Sequence, residues 1–185
     1  MFELLFDTFL ILFVVIDPVG LAPIFAALTH GEPEPYRRRM ALRGTALAAL
    51  VLVVFTLLGD SLLAALNIGL PAFRIAGGAL LFLLAIDMVF ARHSGVRAPT
   101  QREQAEAEHK KDISVFPLAF PMIAGPGAIT TVLLTAGGRH ESFAAVGALL
   151  AMLGVVLGLT LISLLFSVRI MKLLGETGAN VVGRV

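Results

Sequence analysis

The sequence has no cysteine and few charged residues. Asp, Glu, Lys and Arg make up 15% of its 185 residues, whereas a soluble domain carries about 25%. Without cysteine the chain forms no disulfide and no thiolate metal site. The four histidines fall in predicted loops without the spacing of a ligand set, so we expect no metal and no cofactor: His30, His93, His109 and His140.

Long apolar segments take the place of the missing charges. The composition is 58% hydrophobic, and the mean hydropathy is +0.93. Residues 113–138 and 142–168 contain no Asp, Glu, Lys, Arg or His. Since about 20 predominantly apolar residues cross a bilayer as a helix, we expect an all-α polytopic membrane protein with lipid as its surroundings. The net charge is +1, and the basic residues lie mostly in predicted loops between the apolar spans. We therefore expect no nucleic-acid partner.

The apolar segments predict five membrane spans. The N-terminus carries Glu3 and Asp7 in place of the basic residues of a signal peptide, so we interpret it as a retained first span. A half-apolar segment at 60–70 is expected to lie along the interface or to dip into it. A polar linker at 92–112 divides the chain into a first three-helix unit, 1–91, and an incomplete second unit, 113–185. The predicted spans are 4–29, 39–59, 73–91, 113–137 and 143–168.

The distribution of basic residues predicts the orientation. Eleven Lys and Arg residues fall in the first connection, the linker and the last connection, while the loops on the other side contain Arg139 alone. Because cytoplasmic loops carry the excess of Lys and Arg, the N-terminus is expected outside and the linker 92–112 in the cytoplasm.

Two spans carry a proline at their centre, which suggests an internal repeat. Pro18 and Pro126 are 108 residues apart, and "LPAFRIAGG" resembles "NVVGRV" with Arg74 and Arg184 separated by 110 residues. A unit with an odd number of spans ends on the opposite side of the membrane from where it began. The second of two three-helix copies would therefore have the opposite orientation to the first. Inverted repeats with discontinuous helices at the midplane are typical of secondary transporters. By this alignment the sequence stops where a sixth span is expected to begin.

The two breaks predict complementary halves of a binding site. Each proline can begin a new half-helix, whose free N–H groups and positive dipole end favour anions. At the first break Asp17 stands in the N-cap position, whereas glycines leave the second break uncapped. A zwitterion suits this pair, as does a proton or cation on Asp17 with an anion opposite. The predicted substrate-binding residues are Asp17, Pro18, Gly20, Gly125, Pro126, Gly127 and Thr130.

Structural interpretations of these residues remain open alongside the functional one. Proline and glycine kinks can serve packing alone, and Asp17 can act only as a helix cap. Ionisable residues within membrane segments are nevertheless functional candidates by default. Asp17 and Asp87 are therefore the candidates for proton coupling, although Asp87 can equally pair with Arg92 near the interface.

Three motifs in this order resemble one family of membrane proteins. "IDPVGLAPIFAALT", "LPAFRIAGGALLFLLAIDMVF" and "FPLAFPMIAGPGAITTVLL" are similar to the MarC family of bacterial inner-membrane proteins, which is associated with neutral amino-acid transport. The resemblance covers nearly the whole chain. It implies six spans, so a final helix would be missing here.

The expected function is secondary transport of a small zwitterionic solute, a neutral amino acid, with possible proton coupling. A passive channel or exporter is the nearest alternative, followed by a non-transporting membrane subunit or regulator. An intramembrane hydrolase needs a nucleophile with a partnered base, and we find neither, so we expect no enzyme. Homo-oligomerisation is left open.

Overall fold

The computed structural model describes residues 2–89, 112–137 and 143–182, and within these ranges all regular secondary structure is helical. Most of the linker 92–112 lies outside these ranges, as do Arg92 and Arg184. The division into units 1–91 and 113–185 therefore stays a prediction. The helices are α1 (Phe2–Ile16), α2 (Pro18–Leu28), α3 (Glu34–Ala65), α4 (Leu70–Val89), α5 (Ser114–Ile123), α6 (Pro126–Ala136) and α7 (Phe143–Val182).

Three of the described helical segments are long and apolar enough to cross a bilayer. They are Leu5–Leu28, which joins α1 and α2, Glu34–Ala65, and Phe143–Arg169. The pair α5 and α6 adds a fourth if the two bent halves count as one span, and Leu70–Ile86 is a shorter apolar helix. The expectation of a polytopic helical membrane protein is confirmed, while the exact number of five spans stays a prediction.

Helix α3 continues into the first part of the segment 60–70, which was expected to lie along or dip into the interface. The helix passes the predicted end of the span at residue 59, because Asp60 is an internal residue of a 32-residue helix that reaches Ala65. Helix α3 ends just before Asn67, which adopts positive φ (56°). The Asn67 N–H donates to the Ala64 carbonyl and the Ile68 N–H to the Leu63 carbonyl. This Schellman arrangement satisfies carbonyls that would otherwise be left free at the helix end.

Helix α5 is not the regular half-helix that the sequence predicted. Phe116 and Phe120 have extended backbone angles, with φ near −130° and ψ near +130°. Each of them precedes a proline, and the proline ring disfavours the α region for the residue before it. The segment is therefore a widened helix of the π type, in which the Leu118 N–H donates to the Ile113 carbonyl five residues back.

A polar contact fixes the start of α5 against α3. Asp112 accepts hydrogen bonds from the Ser114 backbone N–H at 2.9 Å and from the Ser114 hydroxyl. Its other carboxylate oxygen lies 3.4 Å from Arg43 Nη1. The Ser114 hydrogen bonds, followed by the charge of Arg43, lower the pKa of Asp112. The carboxylate is thus kept ionised at the membrane edge predicted to be cytoplasmic.

Contacts between helices define their relative directions. On α3, Gly44 faces Leu118 and Gly59 faces Leu133, so α3 runs parallel to α5 and α6. On α4, Gly77 faces Thr130 and Leu84 faces Gly127, so α4 runs antiparallel to α6.

The core lies where α7 packs against the other helices. Helix α7 contacts α1, α2, α3 and α6. Its apolar face contributes Leu153 and Val156, which are almost fully buried. The predicted span 143–168 agrees with the apolar part of α7, Phe143–Arg169, and the helix continues beyond it to Val182. The core residues on the other helices include Leu12, Ile16, Phe25, Leu52, Leu118, Ile123 and Val132.

Candidate functional site

The first break is a single residue in left-handed conformation between α1 and α2. Asp17 has φ 50° and ψ 70°, a region that Asp and Asn tolerate better than most residues. Pro18 follows at the first position of α2 and has no N–H to offer the preceding turn. The helical hydrogen bonding otherwise continues, since Asp17 N–H donates to Phe13 at 2.9 Å and Leu21 N–H donates to Asp17 at 3.1 Å.

The carboxylate of Asp17 caps α2, as the sequence predicted. Asp17 Oδ1 accepts a hydrogen bond from the Gly20 N–H at 3.0 Å, and the residue is half-buried. A Cβ built on Gly20 would collide with Asp17 Oδ2. Gly20 is therefore required for the close approach of the carboxylate, which satisfies one of the free donors at the helix start.

The second break lacks such a cap. Gly125 occupies the N-cap position of α6 in extended conformation (φ −74°, ψ 173°), and no side-chain hydrogen bond caps the helix. Pro126 again stands at the first helical position. Helices α5 and α6, which lie on either side of this break, are bent by 54° relative to each other. The helix start thus directs the backbone N–H groups of Gly127 and Ala128 and a positive dipole end at their surroundings.

The two breaks meet through Val15 and Gly127. A Cβ on Gly127 would lie 2.5 Å from Leu84 Cδ1 and 3.4 Å from Val15 Cγ1. Val15 is two residues before Asp17, so the end of α1 lies directly against the start of α6. Leu84 completes the contact from α4, and sequence reasoning missed both side chains. Gly77 and Leu84 are seven residues apart and therefore share one face of α4, but this spacing does not say which helix the face will meet.

A small cavity lies at the second break. Its volume is about 20 Å³, and its described lining combines the break with Val15, Leu84 and residues of α5. About 10–15 Å³ measured in this way holds one water molecule. The space at the break in this conformation therefore suits water and is too small for an amino acid.

Thr130 and Thr131 do not line this cavity as described. Thr130 is buried, and its methyl group packs on α4, where a Cβ at Gly77 would lie 2.5 Å from Thr130 Cγ2. Thr131 is 2% exposed, and its hydroxyl has no hydrogen-bond partner among the described residues.

Asp87 lies on α4 one turn beyond Leu84, but its side chain is outside the described residues, so its predicted role in proton coupling is not tested. Within the described ranges no group of three or more His, Asp or Glu side chains could hold a metal ion.

Taken together, the apolar helices, the two broken spans and the contact between the breaks define a helical integral membrane protein with discontinuous helices at its centre. Comparison with known proteins gives the family. The chain matches the MarC family of integral membrane proteins over residues 2–185, and it belongs to that family.

Relatives of similar length occur in bacteria and archaea. The UPF0056 membrane protein YvbG of Bacillus subtilis is 34% identical over 185 residues, which cover 100% of this chain and 87% of YvbG. A UPF0056 membrane protein of Archaeoglobus fulgidus is 36% identical, with 97% and 83% of the two chains covered. The inner membrane protein YhgN of Escherichia coli is 34% identical, with 95% and 84% covered. No solved structure matches the chain.

Proposed function

We propose that this protein is a secondary transporter of a small zwitterionic solute, a neutral amino acid, whose binding site lies between the two helix breaks. The observation that carries the proposal is the contact between breaks of unlike chemistry, in which Val15 lies against Gly127. The first break carries the carboxylate of Asp17, which is not part of the described cavity lining, and the second has an uncapped helix start at Gly125. An ammonium group fits the first, and a carboxylate fits the second.

The directions of the helices support an inverted repeat. A link of only five residues, 29–33, joins the candidate spans Leu5–Leu28 and Glu34–Ala65, so α3 should run opposite to α1 and α2. Since α3 is parallel to α5 and α6, the two broken spans run in opposite directions. In an inverted-repeat transporter, one unit moves against the other around a site at their interface. We propose that the protein lies in a bacterial inner membrane, with its N-terminus outside and the linker 92–112 on the cytoplasmic side.

Substrate entry requires Val15 and Leu84 to move away from Gly127. The present cavity of about 20 Å³ is the occluded form of the proposed site, and a displacement of α4 or α1 would enlarge it. Helix α4 is suited to this role, because within the described chain it packs mainly on α6. Its outer face is exposed, including Ile75 and Phe82.

Asp17 is the proposed coupling residue, with Asp87 as the second candidate. A proton on Asp17 would weaken the ionic attraction for an ammonium group, so protonation and substrate binding would be linked. The proposal assigns no catalytic residue and no cofactor to the chain.

The test is uptake of labelled glycine, alanine and serine into proteoliposomes, with and without an inward proton gradient. Asp17→Asn keeps a capping oxygen, because Asn and Asp are comparable N-caps, and removes only the charge. We expect uptake to fall about tenfold or more, since a hydrogen bond to a charged group contributes roughly 1.5–3 kcal/mol. Asp7→Asn, which changes an exposed acid of the same span, is the matched control and should transport normally.

The possible outcomes separate the alternatives. Saturable, gradient-dependent uptake that Asp17→Asn abolishes supports the coupled carrier. Saturable uptake that is indifferent to Asp17 reduces the carboxylate to a helix cap. Uptake that does not saturate favours a channel or exporter. No uptake of the three amino acids by wild type rejects this substrate class and favours a subunit or regulator.

A further inference from the structure

A second cavity, whose described lining includes no residue of either break, lies between the start of α3 and the middle of α7. Its volume is about 470 Å³, within the range of about 300–1,000 Å³ that is common for ligand pockets. The charged side chains in its described lining are three arginines and one glutamate: Arg37, Arg38, Arg169 and Glu34. The apolar part of the lining comes from α7 and includes Leu165 and Phe166.

Two of the arginines are held in place by neighbouring groups. Arg37 Nη1 donates a hydrogen bond to the Glu32 carbonyl at 3.0 Å. The Arg169 guanidinium carbon lies 5.4 Å from the centroid of the Phe166 ring, within the range of a cation–π contact. Both contacts restrict the side chains and leave guanidinium donors for an anion, since each guanidinium carries five N–H groups.

An exposed apolar stripe on α7 leads from this cavity toward the centre of the span. Phe166, Ile162, Leu159 and Val155 follow one another at spacings of four, three and four residues, so they share one helical face. Their exposed fractions are 44%, 53%, 37% and 47%. Phe166 belongs to both the cavity and the stripe, which makes the two surfaces continuous.

We propose that this surface binds an anionic phospholipid, with the phosphate at Arg37, Arg38 and Arg169 and an acyl chain along the stripe from Phe166 to Val155. Arginine is well suited to phosphate, because its planar fork matches the phosphate oxygens. Basic pockets between membrane helices on the cytoplasmic side are known to bind lipid headgroups. The charge alone would suit any phosphate, but the adjoining apolar stripe favours an amphiphile over a soluble anion.

The experiment is native mass spectrometry of the purified full chain with phosphatidylglycerol or phosphatidylcholine added at equal concentrations. We expect tighter binding of phosphatidylglycerol. Arg169→Gln should weaken that binding about fivefold, because a basic residue near an anionic membrane surface contributes about 1 kcal/mol. The triple variant Arg37→Gln, Arg38→Gln, Arg169→Gln should lose the preference. Arg39→Gln removes an exposed charge of the same helix that is not part of the described lining, and should bind like wild type.

Two further measurements distinguish other occupants. Inorganic phosphate at millimolar concentration should fail to displace the lipid, and Ile162→Ser should weaken binding of long-chain more than short-chain phosphatidylglycerol. Equal binding of the two lipids, an unaffected Arg169→Gln variant, or displacement by inorganic phosphate would each overturn the proposal. The proposal would also be overturned if another segment of the chain covered this surface. In that case phosphatidylglycerol would bind only after that segment had been cleaved. If the triple variant does not fold, Arg169→Gln and Ile162→Ser still decide the question.

Discussion

At the residue scale, Asp17 and Gly20 form one unit. The carboxylate can accept the Gly20 N–H because Gly20 has no Cβ, and the left-handed conformation of Asp17 places the carboxylate at the helix start. This explains why an acid, a proline and a glycine occur together inside an apolar span. The acid caps the half-helix that the proline begins, and the glycine admits the carboxylate. The same arrangement places an acidic side chain near the middle of the apolar segment Leu5–Leu28, where the proposed function would use it.

Replacing Gly20 with alanine tests whether the Asp17 cap stabilises the protein. The added Cβ displaces the Asp17 carboxylate, and loss of an N-cap costs about 1 kcal/mol. Gly78→Ala is the matched control, because open space surrounds Gly78 on α4 and alanine favours helices. We expect the free energy of unfolding of Gly20→Ala, measured by SDS titration in mixed micelles, to fall about 1 kcal/mol below that of Gly78→Ala. Equal values for the two variants would argue against the cap.

At the scale of helical elements, the contact between the breaks depends on Gly127. The start of α6 approaches α1 and α4 so closely that even a methyl group would meet Leu84. Gly127→Ala should destabilise the protein by about 1–3 kcal/mol, as overpacking commonly does. Leu84→Ala alone should also destabilise it by about 2–5 kcal/mol, because Leu84 is 9% exposed and leaves a void.

Combining the two substitutions tests the contact directly. In the double variant the alanine at 127 fills space that Leu84 has vacated, so the double variant should be more stable than the sum of the single effects predicts. A coupling of about 0.5–3 kcal/mol is typical of residues in contact. Additive effects would mean that Leu84 and Gly127 do not touch in the membrane.

The irregular form of α5 also belongs to this scale. Two Phe-Pro pairs four residues apart impose extended conformation at Phe116 and Phe120. The pattern "FPLAFP" is visible in the sequence, and its physical consequence was available there. Sequence reasoning placed the discontinuity only at 124–127, whereas the whole segment before it departs from a regular helix.

At the scale of the whole molecule, the orientation in the membrane is the central prediction. Glu32 and Asn67 lie in the links that precede and follow α3, and both are exposed. The excess of basic residues near Glu32 predicts that this link is cytoplasmic and that Asn67 is outside. The chain has no cysteine, so Glu32→Cys and Asn67→Cys each introduce a single reactive thiol.

Labelling intact cells with a membrane-impermeant maleimide checks this orientation. Asn67→Cys should react in intact cells, and Glu32→Cys only after permeabilisation, while the wild type gives the background. Reversed reactivity would place the N-terminus inside. Reaction of both thiols from the outside would show that α3 does not span the membrane.

The sequence by itself determined the class, the family and the local chemistry of the breaks. Apolar length identifies membrane spans, and the cap at Asp17 and the bare helix start at Gly125 follow from neighbouring residues. Only the tertiary structure decided which side chains meet at the breaks. The contacts of Val15 and Leu84 with Gly127, the turn of Thr130 toward α4, and the basic cavity between α3 and α7 each join residues from separate helices. Such contacts depend on how the helices pack, and the spacing of residues within one helix does not specify the partner that its face will meet.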